Sequence, residues 1–257
     1  MMKNIIIITG ASSGMGMEFA KQLDKKLKHI DEFWLIARRK ERLERLDFLL
    51  HHKCRIFDVD LMNENEVARI EKALNGEKQY RVRMLVNCAG FGLIGQFKDL
   101  EKKEQLEMID LNCKALTAMT YICVPHMDRK SRIIQLASVA AFLPQKNFAI
   151  YAASKSYVLS FSRALNEELK DLDITVTAVC PGPVDTEFFE TAEKNGAIME
   201  IKKFFMVEAD RVVSDAIFAS QMKWGISLCS IPMVLFLGVT KFLPHNLILK
   251  ACNLFYK

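Results

Sequence analysis

Tyr151 and Lys155 stand four residues apart, and a helix over Tyr151 to Leu169 sets both side chains on one face, an ammonium beside a phenol. A free tyrosine ionises near about 10. A neighbouring positive charge favours the phenolate and is expected to draw that value toward neutrality, where the phenol exchanges a proton with an alcohol or carbonyl oxygen. Ser138, 13 residues earlier, follows the apolar run Ile133-Ile134-Gln135-Leu136-Ala137, a predicted buried strand. Its hydroxyl is therefore expected at a strand's carboxyl edge, where it can bond the same oxygen. By itself a tyrosine and lysine at this spacing is ordinary, a packed ring and a solvated amine, and the pair gains meaning only beside a cofactor site.

The elements that would position such a site run through most of the chain. Asn4-Ile5-Ile6-Ile7-Ile8-Thr9 predicts a strand covered on both faces in a parallel sheet. It leads into Gly10-Ala11-Ser12-Ser13-Gly14-Met15-Gly16 and a helix with Ala20, Leu23 and Leu27 on one side. Strand, glycine-rich turn and helix amino terminus together make a pyrophosphate site, because glycines let the backbone approach the ligand and free N–H groups hold the anion. The spacing is Gly-x-x-x-Gly-x-Gly rather than the commoner Gly-x-Gly-x-x-Gly.

A second strand, Phe33 to Ala37, stops at Arg38, where a dinucleotide fold meets the adenosine ribose. An arginine there pairs with a 2′-phosphate, so NADP(H) is expected over NAD(H), with Arg39 able to share or take over that contact. A third strand, Cys54 to Phe57, leads to Asp58 and Val59, with Asp58 placed to meet the adenine amino group, and a helix is predicted from about Asn63 to Leu74. A fourth, Met84 to Val86, ends in Asn87-Cys88-Ala89-Gly90, small residues that suit close passage of a cofactor. Leu106, Ile109, Cys113 and Leu116 mark a long amphipathic helix that contains Asn112 and runs toward Pro125. Ile174 to Val179 predicts a sixth strand, closed by Cys180-Pro181-Gly182-Pro183-Val184-Asp185-Thr186, and Ile226 to Ile231 the last one. The fold class expected is α/β, a doubly wound, Rossmann-like parallel sheet of about seven strands in one domain spanning 1–257, with the strand ends sharing one ligand-binding edge.

These residues resemble the short-chain dehydrogenases/reductases over nearly the whole chain. Thr9 to Gly16 is similar to the family's cofactor turn, Asn87-Cys88-Ala89-Gly90 to its Asn-Asn-Ala-Gly segment and Tyr151-Ala152-Ala153-Ser154-Lys155 to its Tyr-x-x-x-Lys motif. The resemblance implies that Asn112, Ser138, Tyr151 and Lys155 form the catalytic tetrad. It also implies that Lys155 bonds the nicotinamide ribose, that Asn112 carries a water linking Lys155 to solvent, and that Pro181, Gly182 and Thr186, with Val184 among them, meet the nicotinamide. The expected cofactor-binding set is Gly10, Ser12, Ser13, Gly14, Met15, Gly16, Arg38, Asp58, Val59, Asn87, Ala89, Gly90, Tyr151, Lys155, Pro181, Gly182, Val184 and Thr186. Cys88 departs from the family pattern, standing where a second Asn is usual. The implied activity is hydride transfer between NADP(H) and a carbonyl or secondary alcohol, with carbonyl reduction the expected direction. A catalytically silent NADP(H)-binding sensor and a membrane-surface lipid-binding protein are the alternatives.

Residues 187–206 hold Phe188, Phe189, Ile198, Met199, Phe204, Phe205 and Met206 around a charged middle; the resemblance implies a substrate lid, and its apolar content a hydrophobic substrate. Trp224 to Thr240 is free of charge for 17 residues, short of the roughly 20 needed to span a bilayer. The apolar extension 232–257 can cover the pocket, form a dimer contact or lie on a membrane surface. A homodimer or homotetramer is the expected assembly. Seven cysteines without a Cys-x-x-Cys pair read as reduced thiols in a cytosolic setting, and five unclustered histidines give no metal site. The opening strand-like run leaves no room for a signal peptide, so a cytoplasmic location is expected, with membrane contact one of the three roles open to the extension. A net charge of +5, spread among acidic neighbours, argues against nucleic-acid binding.

Overall fold

Four consecutive isoleucines, Ile5 to Ile8, leave the first strand alternately on its two sides, and both sides are buried. Ile6 and Ile8 join Phe19, Leu23, Phe33, Leu35, Leu43 and Val212 in one core layer, while Ile5 and Ile7 join Trp34, Ile36, Ile70, Val82 and Met119 in the other. A strand sandwiched in this way has no polar face, so its sequence is continuously apolar.

A computed structural model describes residues 2–76, 79–188 and 206–253. Its elements in chain order are β1 (Lys3–Thr9), α1 (Gly14–Lys26), β2 (Glu32–Ala37), α2 (Lys40–Leu49), β3 (Cys54–Asp58), α3 (Glu64–Leu74), β4 (Tyr80–Asn87), α4 (Lys102–Ile109), a π-helical turn (Asp110–Ala115), α5 (Leu116–Cys123), β5 (Arg132–Leu136), α6 (Ala149–Glu168), β6 (Thr175–Val179), α7 (Ala209–Gln221), β7 (Ile226–Ser227), α8 (Ile231–Phe242) and α9 (His245–Asn253). The seven strands make one sheet in the order β3-β2-β1-β4-β5-β6-β7, and every neighbouring pair is parallel. The order reverses between β1 and β4, so the connections leaving their carboxyl ends run to opposite sides and leave a crevice, the place where open α/β sheets bind ligands.

Three elements differ from the sequence expectation. β4 begins at Tyr80 rather than Met84, because Arg81 and Arg83 interrupt the apolar run and find their partner in Asp128. The register with β1 shifts between Ile5 and Ile6, leaving Arg83 as the extra residue of a bulge. β7 stops at Ser227 instead of reaching Ile231; Pro232, which cannot donate to a ladder, sits in the first turn of α8. The expected long helix toward Pro125 is interrupted by the π turn at Asp110–Ala115. Among the described residues, no helix is long and apolar enough to cross a membrane.

The turn between β1 and α1 depends on two absent side chains. Gly10 has φ +66°, and a Cβ there would meet the Ala89 amide nitrogen at 2.9 Å; at Gly16 a Cβ would lie 2.2 Å from the Gly10 carbonyl oxygen. Gly16→Ala is therefore expected to force the turn open at a cost of about 1–3 kcal/mol. Thermal unfolding followed by circular dichroism should show a Tm lower by about 2–4 °C per kcal/mol, and an unchanged Tm would contradict the packing described.

Candidate active site

The amino-terminal two turns of α6 carry Tyr151 and Lys155 on the face that is buried together with Ser154 and Val158. The Tyr151 ring is stacked on Phe148 with centroids 4.2 Å apart, and Phe188 tilts against it at 5.4 Å. Gly92 closes the remaining side, since a Cβ there would meet Tyr151 Cδ2 at 2.8 Å. The phenol is held in an apolar clamp, and the Ser138 hydroxyl is the polar side chain that acts on it to favour ionisation among the described residues. Ser138 follows β5, and its Oγ also accepts from the Ala140 amide at 3.1 Å. Lys155 Nζ donates to the Leu136 carbonyl oxygen at 2.7 Å and lies 5.6 Å from the Tyr151 ring centroid.

This enclosure changes the ionisation expected from the sequence. Burial pushes the Tyr151 phenol up to about 12, against the opposing pull of its bond with Ser138. Burial also draws the Lys155 ammonium down to about 8. The phenol is thus not drawn toward neutrality. Its desolvation outweighs the opposing effect of Ser138, while the amine is spent on the Leu136 carbonyl and itself sheds charge readily on burial.

Asn112 lies in the π turn, and its side chain is spent within the fold. Its Nδ2 donates to the Phe91 carbonyl at 2.9 Å and to Ser154 Oγ at 3.0 Å, while its Oδ1 accepts from the Phe91 amide at 3.0 Å. These bonds pin the loop after β4 against α6. A Cβ on Gly90 would meet Asn112 Oδ1 at 2.7 Å, so Gly90 passes close beside it.

On the other side of the switch point, Ser12, Ser13, Gly14, Met15 and Gly16 form the entry to α1. Ser13, its N-cap, makes no side-chain capping bond, and the first turn carries no acidic residue. Arg39, rather than Arg38, reaches over this turn. Its Nε bonds Ser12 Oγ at 3.2 Å, one terminal nitrogen bonds Ser13 Oγ at 2.7 Å, and the other pairs with Glu187 at 2.9 Å. Arg42 binds the second oxygen of Glu187. Arg38 is exposed, with no partner among the described residues.

Asp58 ends β3, half exposed, with Arg69 4.0 Å away. Val59 is buried in the core and donates its amide to the Ala37 carbonyl at 3.2 Å. The Asn87 side chain points into the core instead of the crevice. Its Nδ2 bonds Gln135 Oε1 at 2.9 Å and Thr120 Oγ1 at 3.1 Å, and its buried Oδ1 has no partner among the described residues. Cys88 instead lines the crevice, and Ala89 donates its amide to Thr9 Oγ1 at 3.1 Å.

The crevice encloses about 380 Å³ and brings Met15, Gly90, Ser138, Tyr151, Lys155, Pro181, Gly182, Val184 and Thr186 onto one wall system. Reading the sequence alone does not bring out Leu136, whose backbone carbonyl holds the amine, or Phe148, the stacking partner. No side-chain pattern marks a carbonyl, but an aromatic three residues before Tyr151 is a usable signal. Met233 and Phe236 of α8 complete the mouth, so the extension covers the pocket with one of its faces. The segment 187–206 lies outside the described residues except for Glu187, Phe188 and Met206. Its base is tied where Val184 bridges Val207, with the Val207 amide donating to Pro183 at 2.9 Å. Cramped glycines at Gly10 and Gly16, an uncapped helix start and a carboxylate already seated between Arg39 and Arg42 fit a phosphate-bearing dinucleotide.

A family model described as short chain dehydrogenase matches residues 4–196. The sulfoacetaldehyde reductase 2 of Chromohalobacter salexigens is 34% identical over 196 residues, 73% of this chain and 75% of that protein. The structure of a short-chain dehydrogenase from Sphingobium yanoikuyae in complex with NADPH superposes with a TM-score of 0.77 at 28% identity, covering 89% of this chain and 88% of that one. That of a 3-ketoacyl-(acyl-carrier-protein) reductase from Brucella melitensis complexed with NADH gives 0.74 at 27% identity, covering 88% and 95%. Fold, strand-end turns and the matched span agree, and the chain belongs to the short-chain dehydrogenases, a family of oxidoreductases.

Proposed function

We propose that this chain is an NADP(H)-dependent reductase of ketones or aldehydes borne on apolar small molecules. The observation that carries the reading is the grouping of Ser138, Tyr151 and Lys155 in an apolar crevice at the sheet's switch point, one wall of which leads to the arginine-lined glycine turn. Bound NADPH supplies the hydride. Tyr151, kept protonated by burial, gives its phenolic proton to the substrate oxygen, and Ser138 donates a hydrogen bond to that same oxygen. The Lys155 ammonium stabilises the phenolate left behind and bonds the nicotinamide ribose. Asn112 positions Gly90 and Phe91 beside the pocket floor. Phe148, Phe188, Met233 and Phe236 exclude water and favour an apolar substrate, with 187–206 as its lid.

Arg39 supports the choice of NADP(H). It is bonded to both serines of the glycine turn and, with Arg42, already grips a carboxylate. A 2′-phosphate would compete with Glu187 for those donors. Arg39→Ala is expected to weaken NADPH binding about ten- to a hundredfold, the worth of a hydrogen bond to a charged group of about 1.5–3 kcal/mol, and to leave NADH nearly unchanged. Glu187→Gln should tighten NADPH alone. Fluorescence titration reads both, and equal effects on the two nucleotides would count against a 2′-phosphate site.

Tyr151→Phe should lower kcat for ketone reduction by about 10²–10⁴-fold while preserving NADPH affinity. Turnover near the wild-type rate would remove the tyrosine from the proton path.

Reduction needs both the phenol and the ammonium protonated. With Tyr151 up at about 12 and Lys155 down at about 8, activity is held at lower pH and lost as pH rises through about 8. The pH profile of kcat/KM for NADPH, which reports the free enzyme, should show that fall. A profile flat across this range would show that Lys155 need not be charged.

A further inference from the structure

Helix α8 carries two apolar faces. Met233 and Phe236 line the crevice, and Leu237 packs with Leu116, Phe142 and Val158. On the other side Val234, Leu235, Val239 and Phe242 stand in solvent, at helical spacing that keeps them on one face. Leu235 is 65% exposed, Phe242 88% and, across the turn in α9, Leu247 57%. Scattered apolar residues on a surface need no explanation, but exposed apolar side chains repeated along one face of a helix mark an interaction site.

Charge identifies the partner. The 34 residues from Trp224 onward contain no Asp or Glu and three lysines, Lys241, Lys250 and Lys257, so they hold three of the five net positive charges. Lys241 and Lys250 are exposed beside the patch. A two-fold contact between copies through this face would set the same lysines against one another with no carboxylate to pair them. An anionic lipid surface suits both features: apolar side chains enter the acyl boundary while the lysines meet the headgroups. At 12 residues α8 is far too short to span a bilayer, so it lies on the surface.

We propose that α8 and α9 seat this protein on an anionic lipid surface and that the crevice takes its apolar carbonyl substrate from that surface beneath α8. The second half rests on the reductase reading; the seating does not. Because Met233 and Phe236 sit on the inner side of the helix whose outer side meets lipid, a molecule leaving the acyl boundary reaches the pocket mouth along one apolar element.

Co-sedimentation of the full chain with vesicles tests the seating. Partition is expected to be about tenfold or more stronger on phosphatidylcholine–phosphatidylglycerol vesicles than on phosphatidylcholine alone, and to weaken with salt. Leu235→Glu with Phe242→Glu, both outside the crevice, should abolish it while NADPH binding and Tm stay at wild-type values. Lys241→Gln with Lys250→Gln, a pair that spares all packing, should lose the preference for anionic lipid. Wild-type protein left in the supernatant of the anionic vesicles would overturn the proposal, as would undiminished partition of the Leu235→Glu, Phe242→Glu variant. So would a dimer, seen by sedimentation equilibrium, that this variant dissolves in the absence of any lipid binding. Turnover of apolar ketones, assayed separately without vesicles, keeps the two readings apart: its absence would sink the reductase and the delivery of substrate while vesicle binding still upheld the seating.

Discussion

One hydroxyl holds the carboxyl ends of β1 and β4 together. Thr9 Oγ1 accepts from both the Cys88 and the Ala89 amides, each at 3.1 Å, just where the strand order reverses. That pair of hydrogen bonds holds the β4 turn so close to Gly10 that no side chain fits between them. The glycine turn, the start of α1 and the floor of the crevice all take their positions from this junction. The residues that line the crevice hang from the same edge, because parallel strands deliver their turns to one side of the sheet.

The site trades solvation for enclosure. Packing Tyr151 between Phe148, Phe188 and the bare Cα of Gly92 removes water from the phenol and keeps its proton in place, while the same burial loosens the proton on Lys155. The two groups are therefore set apart in acidity by their surroundings rather than brought together by mutual attraction. A protonated phenol is the form that a reductase needs at the moment a substrate oxygen gains negative charge. Buried polar groups around the site are almost all paired, and Asn112 shows how: three hydrogen bonds tie the loop after β4 to α6 and fix the distance between the two halves of the pocket.

Helix α8 joins the pocket to the outside. Its inner side chains replace what would otherwise be an open mouth, and its outer ones are apolar without cover from the described residues. A segment free of acidic residues serves both ends at once: nothing anionic interrupts the inner apolar wall, and the outer face is left positive.

The parallel α/β sheet, the glycine turn, and the meeting of Ser138, Tyr151 and Lys155 are all legible in the chain before it folds, because each follows from local patterning: continuous β-branched runs, obligatory glycines and a four-residue helical spacing. The sequence could not show that Asn87 turns into the core toward Gln135 and Thr120, since strand side chains alternate and which side faces the crevice depends on neighbouring strands. Nor could it show that Asn112 sits in a π turn, or that Arg39 rather than Arg38 lies over the serines of the glycine turn, a difference made by the path of the backbone into α2. The apolar run Ile226 to Ile231 suits a strand and a buried helix equally, and the strand's end at Ser227 is decided only where Pro232 enters the first turn of α8. Residue spacing specifies which charges are near one another, but only tertiary packing decides how much water is left around them, and for Tyr151 and Lys155 the loss of water is the stronger effect.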